Sequence, residues 1–74
     1  MYRVYCVNVR KEDQDMAETI LRAHWLQGDI DSTVVNEQKN SNGSVVVSYW
    51  IGPYVYEDLL AIMNEFKLKG IHVT

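Results

Sequence analysis

The spacing of apolar residues changes from segment to segment along the chain, and it predicts six elements of secondary structure. Four stretches rich in valine, tyrosine or isoleucine predict strands, because β-branched and aromatic residues favour extended backbone. These strands are predicted at residues 2–9, 32–39, 44–51 and 71–74. Apolar residues spaced three or four apart predict two helices, at residues 11–27 and 54–69. The predicted element order is β-α-β-β-α-β.

Residues that favour turns and helix ends separate these elements. The sequence Asn-Ser-Asn-Gly at residues 40–43 predicts a hairpin turn between the second and third strands. Gly28 and Gly70 are placed where helices stop, and Pro53 is placed where the second helix opens. Asp15 lies three residues before a glutamate, the spacing of a capping box, so the first helix begins either at residue 11 or at Asp15.

This order predicts an α+β fold of the ferredoxin-like type, built from two right-handed β-α-β units around a hairpin. Its sheet has four antiparallel strands in the spatial order 4-1-3-2, and both helices cover one face. The 74 residues form one domain, residues 1–74, since a chain of this length encloses a single small core. The topology is shared by many unrelated proteins and therefore does not indicate a function.

Strand side chains alternate between the two faces of a sheet, so the charged and polar members indicate which face is open. Arg3, Ser48 and His72 are expected to avoid the core. The residues then predicted under the helices are Val4, Cys6, Val45, Val47, Tyr49, Ile71 and Val73. The residues predicted on the open face are Arg3, Tyr5, Val7, Val46, Ser48, Trp50 and His72. A bulge in the first strand would reverse its assignment.

An open face that carries Tyr5, Val7, Val46 and Trp50 is apolar and aromatic, which is typical of an interaction surface. We therefore expect a non-catalytic protein-binding module, a small regulator or inhibitor of a larger cytoplasmic protein, of the kind that phages and mobile elements often encode. The seven residues of the predicted open face are its expected contact surface. The alternative is a homodimer joined through the open faces or through edge strands.

Two less favoured alternatives are an RNA-binding domain and a small-ligand domain. The predicted topology resembles an RNA-recognition module, but residues 44–50 lack the motif of that family, and the net charge is −3. A small-ligand site, as in amino-acid-binding domains that the topology resembles, would involve the loops at residues 8–11 and 52–53. No residue pattern supports such a ligand.

No pattern in the sequence predicts catalysis, a cofactor or a metal site. His24 and His72 have no neighbouring ligand at metal spacing, and Cys6 has no second cysteine to pair with. His24 is expected to be a packing residue and Cys6 a small buried one. A single cysteine, with no signal peptide after Met1 and no apolar run of membrane length, predicts a cytoplasmic protein that does not bind membranes.

Overall fold

The computed structural model describes residues 3–74, and the side chains of residues 32–34 lie outside that description. Its elements are β1 (Tyr5–Arg10), a 3-10 turn (Lys11–Asp13), α1 (Gln14–Gln27), β2 (Ile30–Lys39), β3 (Val45–Pro53) and α2 (Tyr56–Leu68). The predicted α+β class, with an antiparallel sheet and two helices, is confirmed.

The strand β3 lies at the centre of the sheet, with β1 on one side and β2 on the other, both antiparallel to it. The end of the chain lies beside β1, where Val9 and Val73 form one antiparallel bridge. The backbones of Asn8 and Thr74 exchange two hydrogen bonds there, of 3.3 and 3.0 Å. The strand predicted at residues 71–74 is therefore present as a single bridge that adds a short fourth strand to the sheet.

The core lies between one face of the sheet and the two helices. Its central residues, Tyr49, Ile62 and Phe66, have no exposed surface. Full burial of one such side chain stabilises the fold by about 1.5–3 kcal/mol. The whole cluster consists of Val7, Val9, Ala17, Leu21, Ile30, Val47, Tyr49, Ile51, Ile62, Phe66 and Ile71. Because both helices contribute to the same cluster as β1 and β3, the fold has one core.

The predicted orientation of the first strand is wrong. Val7 is 5% exposed and lies in the core, whereas Val4 and Cys6 are exposed. Tyr5 lies on the helix side with Val7. The cause is the pairing of β1 with the buried residues of β3: Tyr5 with Ile51, Val7 with Tyr49 and Val9 with Val47.

The charge of Arg3 carries no information about which face the strand buries. The strand β1 begins at Tyr5, so Arg3 precedes it and is exposed whichever face the strand buries. Tyr2, also part of the predicted strand, lies outside the described residues. For β3 the prediction is confirmed, because Val47 and Tyr49 are buried on the helix side.

Pro53 does not open the second helix. It is the last residue of β3, is buried, and pairs with Ile30 of β2. A proline is tolerated at the end of a strand, where the missing N–H removes little of the ladder. The helix α2 begins at Tyr56, after Val55 in an extended conformation. The strand therefore ends, and the helix begins, two residues later than the predicted positions, residues 51 and 54.

The predicted turns are confirmed. In the hairpin between β2 and β3, the Asn40 N–H donates to the Ser44 carbonyl oxygen at 2.8 Å, and Gly43 has φ +90°. Gly28 ends α1 with φ +81°, a left-handed conformation that favours glycine. After the second helix, the Ile71 N–H donates to the Phe66 carbonyl oxygen at 2.9 Å, which directs the chain back along the core.

Candidate functional site

Exposed tyrosines lie close together where β3 leads into α2. Tyr54 and Tyr56 are 60% and 54% exposed. Tyr5 of β1 lines the same cavity. The ring centroids of Tyr5 and Tyr56 are 6.0 Å apart, with the ring planes tilted by 54°. Together with Arg3 and Pro53, these residues line a cavity of about 200 Å³. We call Arg3, Tyr5, Tyr54 and Tyr56 the tyrosine patch.

The pairing of the strands positions this patch. Because Tyr5 pairs with Ile51, the first residue of β1 lies beside the last residues of β3. The backbone N–H of Tyr54 donates to the Asp29 carbonyl oxygen at 3.3 Å, and its hydroxyl lies 3.4 Å from the Asp31 carboxylate. The link between β3 and α2 is thereby tied to the start of β2, so the tyrosines project from an ordered segment.

The structure places the seven predicted contact residues in four different parts of the molecule. Arg3 and Tyr5 belong to the tyrosine patch. Val7 is in the core and is inaccessible to a partner. The remaining four are Val46, Ser48, Trp50 and His72; the first three lie on the opposite face of the sheet, and His72 is exposed between two residues that pack on the core. The predicted surface is therefore not one continuous site.

The open face of the sheet is more polar than predicted. Trp50 pairs with Cys6, and Ser48 pairs with Asn8. The Ser48 hydroxyl donates to the Asn8 Oδ1 at 2.6 Å, and Ser48 is only 2% exposed. Among the described residues of this face, Trp50 is the one aromatic ring, and it is half-buried. A row of stacked bases would need further aromatic rings beside it.

His24, which is buried, forms a cluster with two partly exposed carboxylates, and sequence reasoning missed this cluster. Its Nδ1 lies 2.9 Å from an Asp29 carboxylate oxygen, and its Nε2 lies 2.9 Å from a Glu65 carboxylate oxygen. Burial lowers the pKa of His24, but the hydrogen bonds and charges of Glu65 and Asp29 outweigh it, so the pKa is raised. An imidazolium donates from both nitrogens, which suits two carboxylates. The cluster joins the end of α1 to α2 and to the start of β2.

Part of this cluster could have been read from the sequence. Asp29 follows His24 by five residues, across the Gly28 helix end, and a glycine turn of this type folds the chain back on the last helical turn. Glu65 lies 41 residues away, and only the packing of α2 against α1 brings it there. His24 has both ring nitrogens occupied by carboxylates of the fold, so its contacts are structural.

The described residues contain no group of three histidine, cysteine, aspartate or glutamate side chains placed to hold a metal ion. Within the same residues, no helix is long and apolar enough to cross a membrane. Comparison of the chain with models of known protein families, with curated proteins and with solved structures gives no match. The function is therefore inferred from the chemistry of the surfaces described above.

Proposed function

We propose that this chain is a non-catalytic protein-binding module, a small regulator or inhibitor that acts by occupying the surface of a larger cytoplasmic protein. The observation that carries the proposal is the tyrosine patch. It offers two largely exposed tyrosine rings, a third ring paired with that of Tyr56, and one arginine that lines the same cavity. Tyrosine and arginine are enriched among the residues that dominate binding energy at protein interfaces.

The form of the patch favours a protein partner over a small ligand. Its cavity of about 200 Å³ is smaller than the roughly 300–1,000 Å³ of typical ligand pockets. A cavity of this size suits one side chain of a partner. Aromatic-lined grooves on other domains dock extended, proline-containing segments. The partner that fits is an extended segment that places a proline or an aliphatic side chain between Tyr5 and Tyr54.

The cost of ordering the patch on binding is low. Tyrosine has two side-chain torsions, so it loses little conformational freedom when it is held in an interface. The link that carries Tyr54 is already held by hydrogen bonds to Asp29 and Asp31. A surface ordered before binding retains more of its contact energy as affinity.

The proposal is tested by capture from lysate with a paired variant. The Tyr54→Ser/Tyr56→Ser double variant removes the two most exposed rings of the patch and leaves the core untouched. Leu68→Ser is the control, because Leu68 is the most exposed large apolar residue and lies at the far end of α2. We expect one protein, identified by mass spectrometry, to be captured by the wild type and the control and lost by the double variant. Equal capture by a folded double variant would contradict the proposal.

We also propose the finer topology, the ferredoxin-like sandwich with the strand order 4-1-3-2. It is supported by the order β1-β3-β2 and by the bridge between Val9 and Val73 on the outer side of β1. Nuclear Overhauser contacts between β1 and residues 71–74 would measure the length of the fourth strand. If residues 71–74 show no contact with β1, the topology is wrong.

A further inference from the structure

His24 is a polar junction between three elements of the fold. It lies in the last turn of α1, and its side chain is 9% exposed. Two charged side chains contact its ring, Asp29 from the turn before β2 and Glu65 from α2. Among the described residues, no other charged side chain lies within ion-pair distance of the ring. The state of this ring therefore acts on α1, α2 and the start of β2 together.

The bond to Asp29 leads to Tyr54. His24 Nδ1 lies 2.9 Å from the Asp29 carboxylate, and the Asp29 N–H donates to the His24 carbonyl oxygen at 3.0 Å. The Asp29 carbonyl oxygen in turn accepts from the Tyr54 N–H at 3.3 Å. Ile30, the next residue, pairs with Pro53, directly before Tyr54. The position of Asp29 therefore helps to set the position of Tyr54.

The bond to Glu65 leads to Tyr56. Glu65 lies on α2, and Tyr56 is the first residue of the same helix. The backbone hydrogen bonds of a helix make its residues move together, so a constraint on Glu65 also restrains Tyr56. Tyr54 and Tyr56 are the two most exposed rings of the tyrosine patch. The two bonds of His24 therefore act on two sides of one surface.

Only a protonated ring can hold both carboxylates. An imidazolium donates from both nitrogens, whereas a neutral imidazole donates from one nitrogen and accepts at the other. An ionised carboxylate only accepts, so it cannot bond to the nitrogen that has lost its proton. Although burial lowers the pKa of His24, the hydrogen bonds and charges of Glu65 and Asp29 raise it above its ordinary value. Loss of the proton therefore releases one carboxylate, whichever tautomer forms.

Glu65 is the carboxylate that we expect to be released. Its side chain is 48% exposed, against 31% for Asp29, so water replaces its lost bond more readily. Asp29 also keeps its two backbone bonds. The helix α2 then loses this connection to α1, while Ile62 and Phe66 keep it on the core. The expected result is a displacement of α2, and of Tyr56 with it, in a chain that stays folded.

We propose that His24 is a pH-sensitive switch of the tyrosine patch. The protonated ring fixes Tyr54 and Tyr56 relative to each other, and the neutral ring leaves Tyr56 less constrained. A partner therefore binds the patch more tightly at low pH than at high pH. The effect on a partner rests on the proposed function, whereas the effect on the patch is measured without a partner.

The effect on the patch is tested by nuclear magnetic resonance between pH 6 and pH 9. We expect the ring and amide signals of Tyr56 to shift with the same midpoint as the imidazole signals of His24. The shift should be absent in His24→Gln. It should be present in His72→Gln, the matched control, because His72 is the other histidine of the chain and is exposed.

A second variant covers the case in which His24→Gln does not fold. Glu65→Gln should lower the midpoints of His24 and Tyr56 together, because the ring loses a negative neighbour. Three results would overturn the switch. These are constant Tyr56 signals across the pH range, a Tyr56 shift that persists in folded His24→Gln, and a Tyr56 midpoint that stays in place when that of His24 moves.

The effect on binding is tested with a synthetic peptide of alternating proline and leucine, the class of segment that fits the patch. Titration followed through the Tyr54 and Tyr56 signals should give about fivefold tighter binding at pH 6 than at pH 9, the lower end of couplings between sites. The difference should vanish in His24→Gln. Equal affinity of the wild type at both pH values would overturn the switch. Absence of binding at both would contradict the proposed partner chemistry, and the Tyr56 shift alone would then decide the switch.

Discussion

The two edges of the sheet differ in what lies beside them. Beside β1, the end of the chain forms a bridge at Val9, and Asn8 exchanges two backbone hydrogen bonds with Thr74. Beside β2, the described chain supplies nothing, although β2 is the longer strand. One edge is completed within the molecule, and the other has no neighbouring strand among the described residues and lies beside exposed apolar side chains. The difference shows that the described fold covers the edge of β1 with the end of the chain and leaves the edge of β2 without such a cover.

Removing residues 71–74 should break this comparison most strongly. The deletion exposes the edge of β1 and removes Ile71, which is 5% exposed and belongs to the core. Burial of one such residue contributes about 1.5–3 kcal/mol, and Val73 adds part of a second contribution. We expect the free energy of unfolding, measured by urea denaturation, to fall by about 3–4 kcal/mol. We also expect the shortened chain to aggregate. A domain of this length has only about 4–11 kcal/mol of stability.

The full-length Ile71→Ala/Val73→Ala variant is the control for the deletion. It removes the apolar contacts and keeps the backbone that covers β1. We expect it to lose stability without aggregating. Aggregation equal to that of the deletion would show that the core contacts, and not the covered edge, keep the chain apart from its neighbours.

Adjacent residues of β1 test which face of the strand is covered. Val7→Ala should cost about 2 kcal/mol, because it removes buried methyl groups and leaves a cavity. Cys6→Ala should change the free energy of unfolding by less than about 0.5 kcal/mol, because Cys6 is exposed. Chemical denaturation of both variants gives the comparison directly. If Cys6→Ala were more destabilising than Val7→Ala, β1 would bury the face that was predicted from the sequence.

The entry to β2 is held by His24, and this anchor should depend on pH. The pKa of His24 is higher in the folded chain than its ordinary value of 6.5. Its stabilisation is therefore fully present below about pH 6.5 and is lost as the pH rises through the folded value. Glu65→Gln should lower the free energy of unfolding by about 1 kcal/mol at pH 6 and by less at pH 9, as measured by urea denaturation.

Glu57→Gln is the matched control for this measurement, since Glu57 lies on the same helix as Glu65 but is outside the His24 cluster. Its effect should not diminish between pH 6 and pH 9 as that of Glu65→Gln does. An equal pH dependence for the two variants would show that the decline at high pH does not come from His24.

The smallest expected effect is the coupling energy of two tyrosines at the start of β1, away from the bridge between Val9 and Val73. Tyr5 and Tyr56 form a tilted ring pair across the patch. A double-mutant cycle with Tyr5→Leu and Tyr56→Leu should give a coupling energy of about 0.5 kcal/mol, the lower end for aromatic pairs because these rings are partly exposed. A coupling of zero would mean that the rings are neighbours without a stabilising contact.

Local patterns determined most of the element boundaries. The hairpin turn at residues 40–43 and the helix ends at Gly28 and Gly70 follow from backbone preferences of single residues, so sequence reasoning located them. The buried face of β3 also followed from alternation, because Val47 and Tyr49 are apolar and large. These features depend on neighbours in the chain, and neighbours are visible in the sequence.

The tertiary structure decided the rest. Which face β1 buries depends on its register against β3, and both sets of its side chains were plausible core residues. The tyrosine patch joins residues 3–5 to residues 54–56, and the His24 cluster joins α1 to α2, contacts between segments far apart in sequence. Periodicity within one strand or helix carries no information about which distant segment will face it, because that choice is made by packing the whole core at once.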